Sequence, residues 1–181
     1  MSAPRDQHFL IDRRAVDRIV GFVDVSGRKV LEIGPGEGIL TRALLDRGAE
    51  VIAVEVDPAL VEELELIFAD EIEEGRLTII LGDAKTVDLP PFDIVVSNLP
   101  FSASSKITFR LLDIGFEVAV LVYQKEFAQR MIALPGTSNV GRLSVMVQTY
   151  ASVKPLLELS PNAFSPNQCS TSPSISGQVM L

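Results

Sequence analysis

The chain has 181 residues, 47% of them hydrophobic and 22% charged, enough for one sizeable core and too few for two ordinary domains. No run approaches the roughly eighteen apolar residues of a membrane span, Met1-Ser2-Ala3-Pro4-Arg5-Asp6 turns polar too soon for a secretory signal, and a lone Cys169 with one histidine excludes both an internal disulfide and a Cys/His zinc cluster. The expectation is a cytoplasmic protein with neither membrane nor metal partner, although a net charge of −8 taken as a sum also opposes nucleic acid.

A first strand, Lys29 to Ile33, runs into the turn Gly34-Pro35-Gly36-Glu37-Gly38, and a helix from about Ile39 to Arg47 ends at Gly48. A second strand, Glu50 to Val56, precedes Asp57-Pro58, a helix cap with proline at the first helical position. Leu60, Leu64, Ile67 and Phe68 then recur at helical spacing among Glu62, Glu63 and Glu65, so an amphipathic helix lies outside the sheet. That helix and its end, to Glu74, hold much of the negative charge. Residues 1–90 carry ten Lys and Arg against nineteen Asp and Glu, and residues 91–181 six against five. The acid is one solvated face, which leaves another side of the molecule able to meet an anion.

A third strand, Leu77 to Leu81, runs into Gly82-Asp83-Ala84, and a fourth, Phe92 to Ser97, into Asn98-Leu99-Pro100-Phe101. Ile107, Leu111 and Leu112 predict a helix, Val118 to Tyr123 a fifth strand, Phe127 to Leu134 a helix and Leu143 to Tyr150 a sixth strand. Strands alternating with helices predict βαβ units, hence an α/β Rossmann-like fold with a mostly parallel sheet and helices on both faces. Periodicity is lost near Ser160, so residues 165–181 are expected as an atypical tail or an incomplete final hairpin.

Four strand ends carry candidate chemistry. The glycine turn lets backbone N–H groups at Gly34 and Gly36 approach a ligand, a pattern that suits S-adenosylmethionine, a dinucleotide, or only tight strand-to-helix packing. Glu55, about twenty residues on, stands where a carboxylate accepts both hydroxyls of a ribose. Asp83 is either an acceptor for an adenine amine, with the Ala84 N–H on a ring nitrogen, or a plain turn aspartate. In Asn98-Leu99-Pro100-Phe101, proline fixes the backbone so that the Asn98 side chain and the Leu99 carbonyl converge on one amine, beside an aromatic face for a base. An aromatic amine is a poor nucleophile because its lone pair is delocalised into the ring. Two acceptors on its two protons draw the nitrogen toward tetrahedral geometry and aim the lone pair at a methyl group. A sulfonium donor leaves as a neutral thioether, so the transfer needs no strong base and no metal.

Together with Gln7-His8-Phe9-Leu10, Glu32-Ile33 before the glycine turn, Glu55 with Asp57, Gln124-Lys125-Glu126-Phe127-Ala128-Gln129-Arg130 and Gly141-Arg142-Leu143-Ser144-Val145, these motifs resemble the ribosomal RNA adenine dimethyltransferases, specifically the small-subunit group, from Gln7 to about Phe164. The resemblance implies a class I S-adenosylmethionine-dependent methyltransferase domain over residues 1–164, including an N-terminal cofactor-contacting segment. The implied cofactor contacts are His8, Leu10, Gly34, Glu55, Asp83 and Asn98. The implied substrate is a pair of adjacent adenosines in a hairpin loop near the 3′ end of 16S-type rRNA, each methylated twice, the base flipped onto Phe101. Phe164 clamps the base's other face or merely anchors its loop. Asn167-Gln168-Cys169-Ser170-Thr171-Ser172 departs from the family's pattern, and the family's C-terminal helical RNA-binding domain is expected to be absent.

The resulting expectation is a monomeric small-subunit rRNA adenine dimethyltransferase acting on that RNA or on a pre-ribosomal particle. Lys106, Arg110, Lys125, Arg130 and Arg142 are its candidate phosphate contacts, each equally readable as a solvated charge. The alternatives are a large-subunit rRNA adenine methyltransferase and a non-catalytic RNA-binding or ribosome-assembly factor with the same fold. The glycine turn alone also leaves room for a dehydrogenase.

Overall fold

The computed structural model describes residues 8–165 and 177–180, so Gln7, Cys169 and the Asn167-to-Ser172 departure lie outside the described residues. The elements are β1 (Phe9–Leu10), α1 (Arg13–Val20), β2 (Lys29–Ile33), α2 (Ile39–Leu45), β3 (Glu50–Glu55), α3 (Pro58–Ile67), α4 (Ala69–Glu73) and β4 (Leu77–Leu81). There follow β5 (Ile94–Asn98), α5 (Ser104–Ile114), β6 (Val118–Gln124), α6 (Lys125–Met131), α7 (Arg142–Tyr150), β7 (Pro155–Leu159), β8 (Phe164–Ser165) and β9 (Gly177–Met180). Of the tail expected over residues 165–181, Ser165 ends β8 and residues 177–180 form β9.

The main sheet has the order β4-β3-β2-β5-β6-β9-β7, parallel from β4 to β6, with β9 antiparallel to both neighbours. Successive strand residues point to opposite faces, and the buried side chains divide accordingly. Val30, Val51, Ile94, Val96 and Val120 pack under Ile19 and Val20 of α1, Leu40 and Leu44 of α2, and Leu64 of α3. Leu31, Ile52, Val54, Val95 and Leu121 pack on the other face against Ile107 and Leu111 of α5, Ala128 and Met131 of α6, and Leu143 and Val147 of α7. The result is the expected α/β Rossmann-like layering, with no described helix long and apolar enough to cross a membrane.

Local chemistry sets the helix starts. Asp12 caps α1 by accepting from the N–H groups of Arg14 at 2.9 Å and Ala15 at 3.3 Å, and Asp57 caps α3 from Ala59 at 2.9 Å. Gly38 opens α2 at φ +79°, where a Cβ would stand 2.6 Å from the Phe68 ring, so any side chain would meet both backbone strain and a clash.

One element corrects the sequence reading. Leu143 to Tyr150, expected as a sixth strand, lies in helix α7. Val145, Val147 and Thr149 are β-branched and alternate, which favours a strand locally. Leu143 and Val147, one helical turn apart, are the side chains that reach the core, and the Ser144 hydroxyl accepts from the Gly141 N–H at 2.9 Å where the helix begins. Helix α1 and strands β1 and β7 add elements that the periodicity did not single out.

The sheet order reverses between β2 and β5, and the two strands pair only at Val30 with Ile94 and Leu31 with Val95. Beyond that point Ser97 replaces the ladder. Its buried hydroxyl donates to the Ile33 carbonyl at 2.6 Å and accepts from the Ile33 N–H at 3.3 Å. Strands that part at their carboxyl ends at such a reversal leave the crevice in which open α/β sheets bind ligands.

Candidate active site

The crevice is a cleft of about 290 Å³, walled by the strand ends that the sequence singled out: Gly34 and Gly36 after β2, Glu55 on β3, Asp83 and Ala84 after β4, and Asn98 to Phe101 after β5. His8, Phe9 and Leu10 cross it from the N-terminal side. All the expected cofactor contacts therefore converge on one space. Phe164 does not join them. It is 2% exposed and packs in the core with Leu10, Leu159 and Ala163, the position of a hydrophobic anchor rather than of a base clamp.

Gly36 has φ +56°, and a Cβ on it would lie 2.6 Å from Cδ1 of Phe9. Glycine is required there because it lets the Phe9 ring lie on the turn. Glu55 fastens the turn to β3: its Oε1 accepts from the N–H groups of Val56 at 2.8 Å and Asp57 at 3.0 Å, and its Oε2 from Gly36 at 3.4 Å. A carboxylate has about four acceptor positions, so Oε2, with one long bond, retains capacity for a hydroxyl.

Glu32, which the sequence reading passed over except as a motif letter, also lines the cleft. It is 1% exposed and accepts from the Thr41 hydroxyl at 2.7 Å. Burial pushes its carboxyl up to about 8, opposed by the Thr41 hydrogen bond and reinforced by the nearby Glu55. The signal available in the sequence was a charged residue within the apolar strand Lys29–Ile33, immediately before the glycine turn.

Asp83 is held below the usual carboxylate range, chiefly by the backbone N–H of Lys85 at 2.9 Å, with the Lys85 ammonium at 3.0 Å adding to it. It is thus a turn aspartate that remains ionised and lines the cleft, so its two readings are compatible. The loop behind it is tied by Arg110, whose guanidinium donates to the carbonyls of Ala84 at 2.6 Å and of Val87. Arg110 is therefore committed to the loop, and Lys125 is paired with Glu158. Lys106, Arg130 and Arg142 are exposed, the last with its guanidinium 5.8 Å from the Phe109 ring centroid.

Asn98 supplies the sharpest feature. Its Nδ2 donates to the main-chain carbonyl of His8 at 2.9 Å, while its Oδ1 is buried with no hydrogen-bond partner. Such an orphan is uncommon in a folded protein and points to a donor brought by a ligand. Beside it the Phe101 ring, half-buried, stacks on the His8 imidazole with centroids 5.0 Å apart and planes at 29°. Among the described residues no group of three or more His, Cys, Asp or Glu is placed to hold a metal ion.

Residues 5–172 match the family described as "Ribosomal RNA adenine dimethylase". A "Probable ribosomal RNA small subunit methyltransferase A" from Methanospirillum hungatei JF-1 is 64% identical over 166 residues, covering 92% of this chain and 65% of the relative. The crystal structure of a dimethyladenosine transferase from Plasmodium falciparum superposes with a TM-score of 0.81 at 31% identity, over 96% of this chain and 62% of that one. That of the 23S rRNA methyltransferase ErmE gives 0.79 at 28% identity, over 95% and 68%. These are class I methyltransferase folds of the Rossmann-like kind, and the present chain spans under two thirds of the Methanospirillum relative's length.

Proposed function

The chain belongs to the ribosomal RNA adenine dimethylase family, and from that premise we propose that it is a small-subunit rRNA adenine dimethyltransferase, using S-adenosylmethionine to methylate the exocyclic amines of two adjacent adenosines in a hairpin loop near the 3′ end of 16S-type rRNA. Residues 1–164 form the catalytic domain, acting as a monomer in the cytoplasm on the RNA or a pre-ribosomal particle. The observation that carries this reading is the buried, unpartnered Oδ1 of Asn98, a residue that lines the cleft.

The residues present fit the cofactor, which when bound supplies an electrophilic methyl group on a positively charged sulfur. Glu55 Oε2 is the acceptor for ribose hydroxyls, Asp83 and the Ala84 N–H address the adenine, Gly34 and Gly36 leave the turn open for close approach, and His8 and Leu10 close the cleft from above. The target amine is held by this chain's own groups. Asn98 Oδ1 and the Leu99 carbonyl accept its two protons, Pro100 keeps the two acceptors in register, and Phe101 stacks the flipped base. With both protons engaged in the first transfer, the nitrogen lone pair turns out of conjugation; the monomethylated amine keeps one N–H for one of the two acceptors in the second, and each transfer releases one proton to solvent.

The test is incubation with labelled cofactor and unmodified small-subunit RNA or particles, followed by digestion and mass spectrometry. Dimethyladenosine is expected with the wild-type chain and not with Asn98→Ala. Product in large-subunit RNA instead would move the assignment to the ErmE-like reaction, and cofactor binding with ribosomal association but no product would favour a non-catalytic assembly role.

A further inference from the structure

We propose that residues 8–10 are a strap whose His8 main-chain carbonyl sets the orientation of the Asn98 amide, making His8 a positioning residue for the methyl-acceptor site. The proposal rests on the reading above for the identity of the incoming amine, but not for the arrangement itself.

A backbone carbonyl can only accept a hydrogen bond. The end of the Asn98 amide that lies 2.9 Å from the His8 oxygen is therefore the NH2 end, and the oxygen is the end turned into the buried position without a partner. A flipped amide would set two oxygens against each other at His8 and present an N–H donor to an amine that also brings N–H donors. Without the strap the two orientations of a carboxamide differ little in shape. With it, one is selected before substrate arrives, which is preorganisation of the acceptor.

The strap has the seating this task demands. Phe9 lies on Gly36, β1 pairs with β8 through Phe9 with Ser165 and Leu10 with Phe164, and the Ile11 N–H donates to the Ala163 carbonyl at 2.8 Å. Phe164, itself a rung of this ladder with its side chain in the core, anchors the strap and so acts on the site from a distance. At the tip the His8 ring covers one face of Phe101 in the ring-on-ring geometry that a flipped base would adopt. The base displaces the ring and leaves the carbonyl, held by the chain behind it, in place.

The experiment reads the Asn98 carboxamide protons by 15N NMR in the full chain, without RNA or cofactor, and then the kinetics. In wild type and in His8→Ala, which retains the carbonyl, these protons should exchange slowly. Phe9→Ala should speed that exchange about tenfold or more and lower kcat about tenfold to a hundredfold at saturating cofactor and RNA, with a smaller change in the RNA KM. Phe9→Leu should restore most of both. If Phe9→Ala also exposes core amides, Phe9→Leu against wild type becomes the comparison, with a partial loss expected in both readouts. Unchanged Asn98 exchange when the strap is loosened, or an effect confined to KM, overturns the proposal. Slow exchange in a protein that never yields methylated adenosine would sink the proposed activity and leave the positioning intact.

Discussion

Burying an oxygen that accepts no hydrogen bond costs a folded chain about 1–3 kcal/mol, and Asn98 holds one in that state. Removing it should therefore cost little stability while removing function. Asn98→Ala is expected to shift the melting temperature by only a few degrees, measured by thermal unfolding, and to lower methyl transfer by about 10²- to 10³-fold, the scale seen when one preorganised polar contact to a reacting centre is lost. Glu32 shows the same tension in its protonation. Its folded value, about 8, stands above the ordinary 4.5. The folded chain thus keeps a proton that the unfolded chain releases, so the contribution is intact below pH 4.5, declines as pH rises through the window, and falls no further above about 8. Glu32→Gln keeps an acceptor for Thr41 and abolishes the titration. It should match wild type near the bottom of that window and exceed it progressively toward its top, by up to about 1.4 kcal/mol for each pH unit crossed, a difference that denaturant melts at the two pH values would read directly. No advantage at the upper pH would mean that Glu32 is ionised in the folded protein.

At the level of elements, Ser97 does for β2 and β5 what ladder hydrogen bonds do elsewhere. Ser97→Ala leaves both the N–H and the carbonyl of Ile33 without their partner in a buried place, with an expected loss of about 1–3 kcal/mol in urea unfolding; a neutral variant would show that water can take over. This hydroxyl was invisible to periodicity, because Ile94–Asn98 reads as a buried strand whatever its fourth residue does. The strands Lys29–Ile33, Glu50–Glu55 and Leu77–Leu81 and their loaded ends were legible, since each couples a short apolar run to a glycine or acidic turn. Helix α7 was not, because its β-branched residues carry a local preference that the packing of Leu143 and Val147 overrides. Helix α1 did carry a signal, Asp12 ahead of Ala15, Val16, Ile19 and Val20, that was there to be read. For Arg110 and Phe164 the sequence left two readings open for one reason: a side chain's type says what it can bind, and only the fold says what already surrounds it, here the 84–87 loop carbonyls and the core.

Across the whole molecule, the negative charge and the proposed RNA partner are reconciled by position. The carboxylates between Glu62 and Glu74 lie on α3, α4 and their flanks, whereas Lys106, Arg130 and Arg142 are exposed on α5, α6 and α7, the helices of the opposite face. If those three touch phosphates, each alanine variant should reduce the slope of log affinity against log salt by about 0.7 to 0.9, whereas Arg110→Ala should leave the slope alone and weaken cofactor binding through the loosened 84–87 loop. Salt titrations of RNA binding separate the two outcomes. The sheet has one further property at this scale. Strand β9 sits between β6 and β7 and pairs with both, yet it is made after both. A nascent chain leaving the ribosome therefore carries an open slot with two unpaired backbone edges, the kind of surface that recruits foreign strands. Among the described strands of the main sheet, synthesis and sheet order fall out of step here, and β6 and β7 wait for residues 177–180 before the slot between them is zipped shut.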